Sequence, residues 1–367
     1  MGSPIIGSPT LADAFDVLAR CVAHGLVPGA VAAVGTAETT LHRAGYGCAE
    51  LTPRKREIAV DSLFDVASLT KVVVTTTLAL QAVEQGRLAL GQHVAAILPR
   101  FATSGKSDVT VRQLLTHTSG LRAGLSAQPL TSDHLDVHEA VLAALYHQPL
   151  AHPPGSTVLY SDLGYITLGA ILETIGGARL DSLARRDVFA PLGMTDAQFS
   201  PEPAVRARCV ATEVLPHRGG TIVGAVHDGT AALMGGASGH AGLFATCQDL
   251  ERFCRLWLNA GLLERQRVLS PATIRAATRP QTGALPIRRG FGWVLQPNPL
   301  WPSADLCSPH SYGHTGFTGT SIVIDPELGI FAILLTNRIH PTRDATLENI
   351  VSVRARFHNA VWAALSD

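Results

Sequence analysis

The sequence predicts an α/β (α+β) fold: one antiparallel sheet, flanked by helices from the N- and C-termini, with a large, mostly helical inserted domain. Three observations support it. Strand-like segments of period two occur near both ends of the 367-residue chain. Amphipathic helix patterns bracket them at the termini. Between them, residues from about 87 to 285 read as helices and loops. A sheet assembled from both ends implies residues 1–86 plus 286–367 as the sheet domain and 87–285 as the helical domain, with an active site at their interface.

Thr10 and Asp13 form a capping box for a first helix that ends near His24-Gly25. PGAVAAVG and TTLHRAGYG follow as a strand pair. A third strand, roughly 62–66, runs directly into a helix that starts at Ser68 and continues to about Gln85. Thr110 with Gln113 makes a second capping box. Thr246 with Asp249 makes a third, opening a helix with Leu250, Phe253, Cys254, Trp257 and Leu258 on one stripe. After Arg288 the period is again that of strands: HTGFTGTSIVID and IFAILLTN are joined by PELG, with Pro326 in the second turn position and Gly329 closing it. ATLENIVSVRARFHNAVWAAL ends the chain as an amphipathic helix.

A hydrophobic content of 46% against 16% charged residues describes a chain with a large core and no disorder. Acidic and basic residues balance at 29 each, which gives no electrostatic bias toward nucleic acid or an anionic membrane. Arg54-Lys55-Arg56 reads as a solvated turn. The six cysteines form no CxxC pair and no metal-ligand spacing, as expected of free thiols in a reducing compartment. No apolar run reaches the ~18 residues of a membrane span. The first twenty residues lack a basic n-region, and Asp13 and Asp16 interrupt any apolar one, so the expected location is cytoplasmic.

One residue stands out against this background. The run that follows Lys71, VVVTTTLALQAV, is too apolar to leave a face in water. The chain has only three lysines, Lys55, Lys71 and Lys106, and its other basic residues are arginines. Ser68 and Lys71 stand at i and i+3 and share a helix face, in the first turn where free N–H groups favour developing negative charge. A serine hydroxyl becomes a good nucleophile only when a neighbour takes its proton. Burial lowers the proton affinity of lysine, whereas arginine stays charged in such a site. The spacing therefore suggests a lysine that loses its proton to serve as base. A capping serine beside a lysine that extends to the surface is the competing structural reading.

Two further segments decide between them. Tyr160-Ser161-Asp162 precedes a helical stretch, and His314-Thr315-Gly316 lies on an expected strand, followed by Phe317. Ser-x-x-Lys, Tyr-x-Asp and His-Thr-Gly, in this order, resemble the motif set of the serine β-lactamase and penicillin-binding-protein superfamily. LLTHTSGL at 114–121, MGGASGHAGLFAT at 234–246 and GHTGFTGTSIVIDPELG at 313–329 resemble its class C-like branch, which includes family VIII carboxylesterases, D-aminopeptidases and DD-carboxypeptidases. The resemblance covers about residues 10 to 365 and implies a β-lactamase/transpeptidase-like fold. It implies acyl transfer through Ser68, with Lys71 and Tyr160 sharing the proton handling and either one acting as base. The backbone N–H groups of Ser68 and Phe317 would form the oxyanion hole. Asp162, His314, Thr315 and Gly316 would line the substrate site. Asp162 stands where the family has Asn; it either contacts substrate or caps the following helix, and a carboxylate there favours the ammonium form of Lys71. His314, in place of Lys, removes a fixed charge from the cleft.

Other patterns carry less. No serine sits in an intact G-x-S-x-G; Gly236-Ala237-Ser238-Gly239 is followed by His240. His134 and His138 have zinc-helix spacing but lack the expected glutamate and a third ligand. His117-Thr118-Ser119 reads as a loop after a capped helix. His227-Asp228 and His240 border a glycine-rich loop and read as structural. Cys247 and Cys254 read as core. No motif requires a metal or organic cofactor. The expected function is hydrolysis of a small ester or amide by an acyl-enzyme, with a carboxylesterase acting on a neutral acyl group first. A D-stereospecific peptidase, DD-carboxypeptidase or weak β-lactamase is the alternative, and a non-catalytic binder on the same fold is the reading from another class. The oligomeric state is not legible.

Overall fold

The computed structural model describes residues 9–125, 136–298, 301, 304–343 and 347–366. His134 lies outside them. The central element is a seven-stranded antiparallel sheet made from both ends of the chain, as expected. Its strands are β1 (Gly29–Thr36), β2 (Thr40–Glu50), β3 (Arg56–Glu57), β4 (Val294–Leu295), β5 (Tyr312–Thr315), β6 (Ser321–Asp325) and β7 (Ile330–Thr336). Their order across the sheet is β4-β5-β6-β7-β1-β2-β3. The N-terminal β1 pairs directly with the C-terminal β7, from Ala30 opposite Thr336 to Thr36 opposite Ile330.

Side-chain alternation on β1 sorts the two faces. Ala30, Ala32 and Val34 pack with Phe15, Leu18, Phe357 and Trp362 from α1 (Leu11–Ala23) and the C-terminal helix (Leu347–Leu365). Val31 and Ala33 pack into a larger core with Phe331, Ile333, Leu335, Leu250 and Phe253. The helix Cys247–Leu258, opened by the Thr246–Asp249 capping box, supplies the last two and lies across β1, β6 and β7. The boxes at Thr10–Asp13 and Thr110–Gln113 form as read from the sequence.

The expected third strand differs. Only Phe64–Asp65 is extended, and it pairs with Leu243–Ala245 rather than with the N-terminal strands. Two residues are too short for alternation to reveal a partner. The segment after Ser68 also departs from a regular α-helix. Lys71–Thr76 is π-helical before α2 (Thr77–Glu84), and Lys71 through Thr77 are buried on every side. Such wide turns occur frequently at functional sites.

The glycine-rich loop before Leu243 is threaded between this segment and α3 (Asp162–Gly176). Thr75 Oγ1 donates to Gly239 O at 2.6 Å, and Thr70 Oγ1 accepts from Leu243 N at 3.2 Å. On the other side, a Cβ at Gly239 would stand 2.0 Å from Tyr165 O and 3.0 Å from Gly169 N. Those are backbone atoms of a buried helix and have nowhere to move. Gly239→Ala is therefore expected to lose about 1–3 kcal/mol of stability or more, read as a lowered midpoint in thermal or urea unfolding.

Candidate active site

Ser68 is delivered by a strained lead-in. Asp65 is buried; its Oδ1 accepts from Ala67 N at 2.9 Å and its Oδ2 from His227 N at 2.8 Å. Burial raises its proton affinity against these two hydrogen bonds. Ala67 is held at φ +49°, a region that a residue with a Cβ occupies only at a cost. Ser68 follows at the mouth of a cleft of ≈ 670 Å³.

Lys71 has no exposed surface, and its Nζ meets three oxygens. It lies 3.0 Å from Ser68 Oγ, 2.9 Å from His240 O and 2.7 Å from Asp162 Oδ1. The phenol of Tyr160 is within hydrogen-bonding reach, and its ring centroid is 5.1 Å away. Burial alone would favour the neutral amine. The Asp162 carboxylate, then Tyr160, outweigh it and hold Lys71 above the usual lysine range. The lysine expected to lose its proton is thus an ammonium in the resting site. Asp162 is not the helix cap: Ser161 caps α3, its Oγ accepting from Gly164 N, and Asp162 stands one residue inside with its carboxylate on Lys71.

Tyr160 is clamped by His117, a residue read from the sequence as part of an ordinary loop. His117 O accepts from Leu159 N at 2.9 Å and His117 Nδ1 accepts from Ser161 N at 3.0 Å. Its ring stacks on Tyr160 at 4.5 Å and 28°. Burial, then the charge of Arg289, keeps the imidazole well below its usual pKa, so it is neutral.

The third wall is β5 and the turn after it. His314 and Thr315 lie on the strand; Phe317 lies in the turn rather than on the strand as expected. Two threonines fasten this turn to the lead-in: Thr318 Oγ1 donates to Asp65 O at 2.8 Å and Thr320 Oγ1 to Val66 O at 3.0 Å. Arg354, from the C-terminal helix, donates to both Gly316 O and Thr320 O at 2.8 Å. In a trans peptide the carbonyl and the next N–H point oppositely. Drawing Gly316 O toward Arg354 therefore turns the Phe317 N–H the other way. No backbone carbonyl among the described residues accepts from the N–H of Ser68 or Phe317. A Cβ at Gly316 would meet Thr320 Oγ1 at 2.1 Å and Val66 O at 2.5 Å, which explains the glycine.

Arg289 was not singled out in the sequence. It is buried and lines the cleft with its guanidinium 5.5 Å from the Tyr160 ring centroid. Its Nε and Nη1 have no protein partner. His314 shares a hydrogen bond between Nδ1 and Thr315 O at 2.9 Å; a carbonyl only accepts, so Nε2 is left as a lone-pair acceptor, and it too is buried without a partner. Burial, then Arg289, keeps His314 neutral. Nothing in the local text around Arg289 marks it, because its neighbours in the cleft are far away in sequence.

His227-Asp228 and His240 form two carboxylate–imidazole pairs on the remaining wall. His240 Nε2 is 2.9 Å from Asp228 Oδ1, and its Nδ1 is 2.9 Å from Ser238 Oγ. Burial raises the Asp228 carboxyl, but the His240 hydrogen bond and charge outweigh it and hold it well below the usual range. His227 Nε2 is 2.8 Å from Glu213 Oε2. Among the described residues no three His, Cys, Asp or Glu side chains form a metal cluster, and no helix is long and apolar enough to cross a membrane.

A family model described as "Beta-lactamase" matches residues 16–355. The chain is 32% identical over 313 residues to the "Putative D-alanyl-D-alanine carboxypeptidase" of Escherichia coli (strain K12), covering 76% of this chain and 70% of that one. It is 30% identical over 359 residues to the "N-acetylmuramyl-L-alanine amidase" of Bacillus subtilis (strain 168), covering 89% and 80%. A crystal structure of a penicillin-binding protein homolog from Caulobacter crescentus superposes with a TM-score of 0.77 at 25% identity, covering 97% of each chain.

Two outcomes follow from the ammonium. Lys71→Arg keeps the charge but replaces a compact donor with a planar fork, and kcat/KM is expected to fall by ~10³ or more. Asp162→Asn is expected to cost about 1–3 kcal/mol; a buried pair is worth more, but the Asp162 side chain is 36% exposed and partly screened. Because the folded-state pKa of Lys71 is raised, this contribution is present below the unfolded lysine value of ~10.4 and lost only as pH rises through the folded one. The stability gap between the two proteins should therefore stay constant from about pH 6 to 9 in urea unfolding.

Proposed function

The chain belongs to the beta-lactamase family of serine hydrolases, and from that membership we propose that it cleaves the amide bond of a small substrate whose leaving amine carries a carboxylate. The observation that carries the substrate class is Arg289. A buried guanidinium whose Nε and Nη1 donors are unpaired is costly in isolation, and the negative charge of a carboxylate in the cleft would offset that cost. His314 Nε2 adds an acceptor for the N–H of the same leaving group. The loss of a lysine charge at His314 suggested a neutral acyl substrate, but Arg289 places positive charge in the cleft from another segment. The names of the two relatives both describe hydrolysis of an amide bond at alanine, which agrees with this reading.

In this mechanism Lys71 donates to Ser68 and does not take its proton. The phenolic oxygen of Tyr160, held beside the ammonium, accepts the proton from Ser68 Oγ as that oxygen attacks the carbonyl carbon. The carbonyl oxygen becomes an oxyanion received by the N–H groups of Ser68 and Phe317; removing one such donor commonly costs ~10²–10³ in turnover. Collapse expels the amine, which takes the proton from Tyr160. Water then attacks the Ser68 ester, loses a proton to Tyr160, and releases the acid while Ser68 regains its hydrogen. Asp162 keeps Lys71 charged, and His117 keeps Tyr160 in place.

A fluorophosphonate should add to Ser68 in intact-mass analysis and fail to do so in Ser68→Ala. Turnover of an acyl amide of 5-amino-2-nitrobenzoate should exceed that of the matching p-nitroanilide, which lacks the carboxylate. Arg289→Met should remove that advantage by about 10–100-fold in kcat/KM and leave the p-nitroanilide little changed. Turnover of p-nitrophenyl butyrate with neither amide would return the reading to a neutral carboxylesterase.

A further inference from the structure

We propose that the Glu213–His227 pair recognises the acyl half of the substrate: His227 Nδ1 accepts a hydrogen bond from an amide N–H there, so the acyl group belongs to an N-acylated amino acid or peptide. This rests on the amide-hydrolase reading above. The carbon that Ser68 attacks has three substituents. Its oxygen is directed to the Ser68 and Phe317 N–H groups, and its leaving amine toward Tyr160 and Arg289. The acyl chain takes the remaining direction, along the cleft wall made by Glu213, Leu215, Arg218 and His227.

On that wall His227 is fixed at every point but one. Its N–H donates to Asp65 Oδ2 at 2.8 Å, its carbonyl accepts from Arg218 Nη1 at 2.9 Å, and its ring stacks on Phe317 at 5.7 Å and 15°. Asp65 also holds Ala67 N, so one carboxylate places both this imidazole and the nucleophile's lead-in. His227 Nε2 lies 2.8 Å from Oε2 of Glu213, which is only 5% exposed and whose Oε1 lies 3.6 Å from Arg343 Nε. A carboxylate only accepts, so the ring hydrogen of a neutral His227 is on Nε2 and Nδ1 is a lone-pair acceptor. No hydrogen bond to Nδ1 is formed among the described residues, and His227 lines the cleft. The wall therefore presents a tautomer-locked acceptor to the acyl chain in the same cleft that Arg289 lines.

The test uses two amides of 5-amino-2-nitrobenzoate, one N-acetylalanyl and one O-acetyl-lactyl, which differ in a single N–H replaced by oxygen; each enantiomer is assayed. The wild type should favour the N–H substrate by about 10-fold or more in kcat/KM. Glu213→Gln offers His227 both a donor and an acceptor, unlocks the tautomer, and should shrink that ratio. His227→Phe keeps the ring on Phe317 but removes the acceptor, and should abolish the ratio. His227→Asn, which restores an acceptor near Nδ1, should recover part of it. The ratio, rather than the absolute rate, is the readout, with melting temperature establishing that each variant folds. The inference is overturned if the wild type does not discriminate, or if the variants slow both substrates equally, as a structural or proton-transfer role would require. If fluorophosphonate labels Ser68 but neither amide is cleaved, the amide reading itself falls, and this inference with it.

Discussion

Lys71 has no contact with solvent, and its ammonium is shared among Ser68 Oγ, the His240 carbonyl and the Asp162 carboxylate. Taking a charge out of water costs several kcal/mol, and only partners with good geometry offset it. The three partners belong to three separate parts of the chain: the turn that leads into the π-helical segment, the glycine-rich loop and the first turn of α3. One buried cation therefore specifies how these parts meet, and the nucleophile lies where they do. The same arrangement explains why the wide turn and the close approach of Gly239 to α3 occur together. Each brings a carbonyl or hydroxyl within reach of the lysine or of the threonines beside it.

Orientation of the backbone depends on a second set of buried charges. Asp65 holds Ala67 in a left-handed conformation, while Arg354 and Arg338 take the carbonyls of Gly316, Thr320 and Phe317. Burial lowers Arg354 to about 9, a measure of how unfavourable its position would be without those carbonyls. Such groups contribute little net stability relative to an apolar replacement. Their effect is geometric, because they fix the peptide planes on either side of Ser68 and Phe317.

The charge balance of the whole chain conceals the character of the cleft. The totals of 29 acidic and 29 basic residues cancel, yet Arg218, Arg289, Arg338, Arg343 and Arg354 line one cavity with Asp162, Glu213 and Asp228. The acidic members are committed to Lys71, His227 and His240, and several arginines to backbone carbonyls. Arg289 is different, with Nε and Nη1 unpaired and its guanidinium 5.5 Å from the Tyr160 ring centroid. Burial, and then its charge, keep His117 and His314 neutral, so the site combines the cations of Lys71 and Arg289 with two uncharged imidazoles.

The sequence by itself determined the class of fold, the capping boxes, the β6–β7 turn and the triad of segments holding Ser68, Tyr160 and His314. These are local: a cap, a turn or an i, i+3 pair is written within a few residues, and their order matched a known motif set. The tertiary structure alone decided the charge state of Lys71, because burial and Asp162 pull in opposite directions and only their distances reveal which prevails. It also decided that His117 clamps Tyr160, that Arg289 lines the cleft beside Tyr160, that Arg354 turns a peptide 38 residues earlier, and that Phe64–Asp65 pairs with the distant strand Leu243–Ala245. Each of these couples residues far apart in sequence through one hydrogen bond or one stacked ring, and such couplings leave no period in the chain to be read.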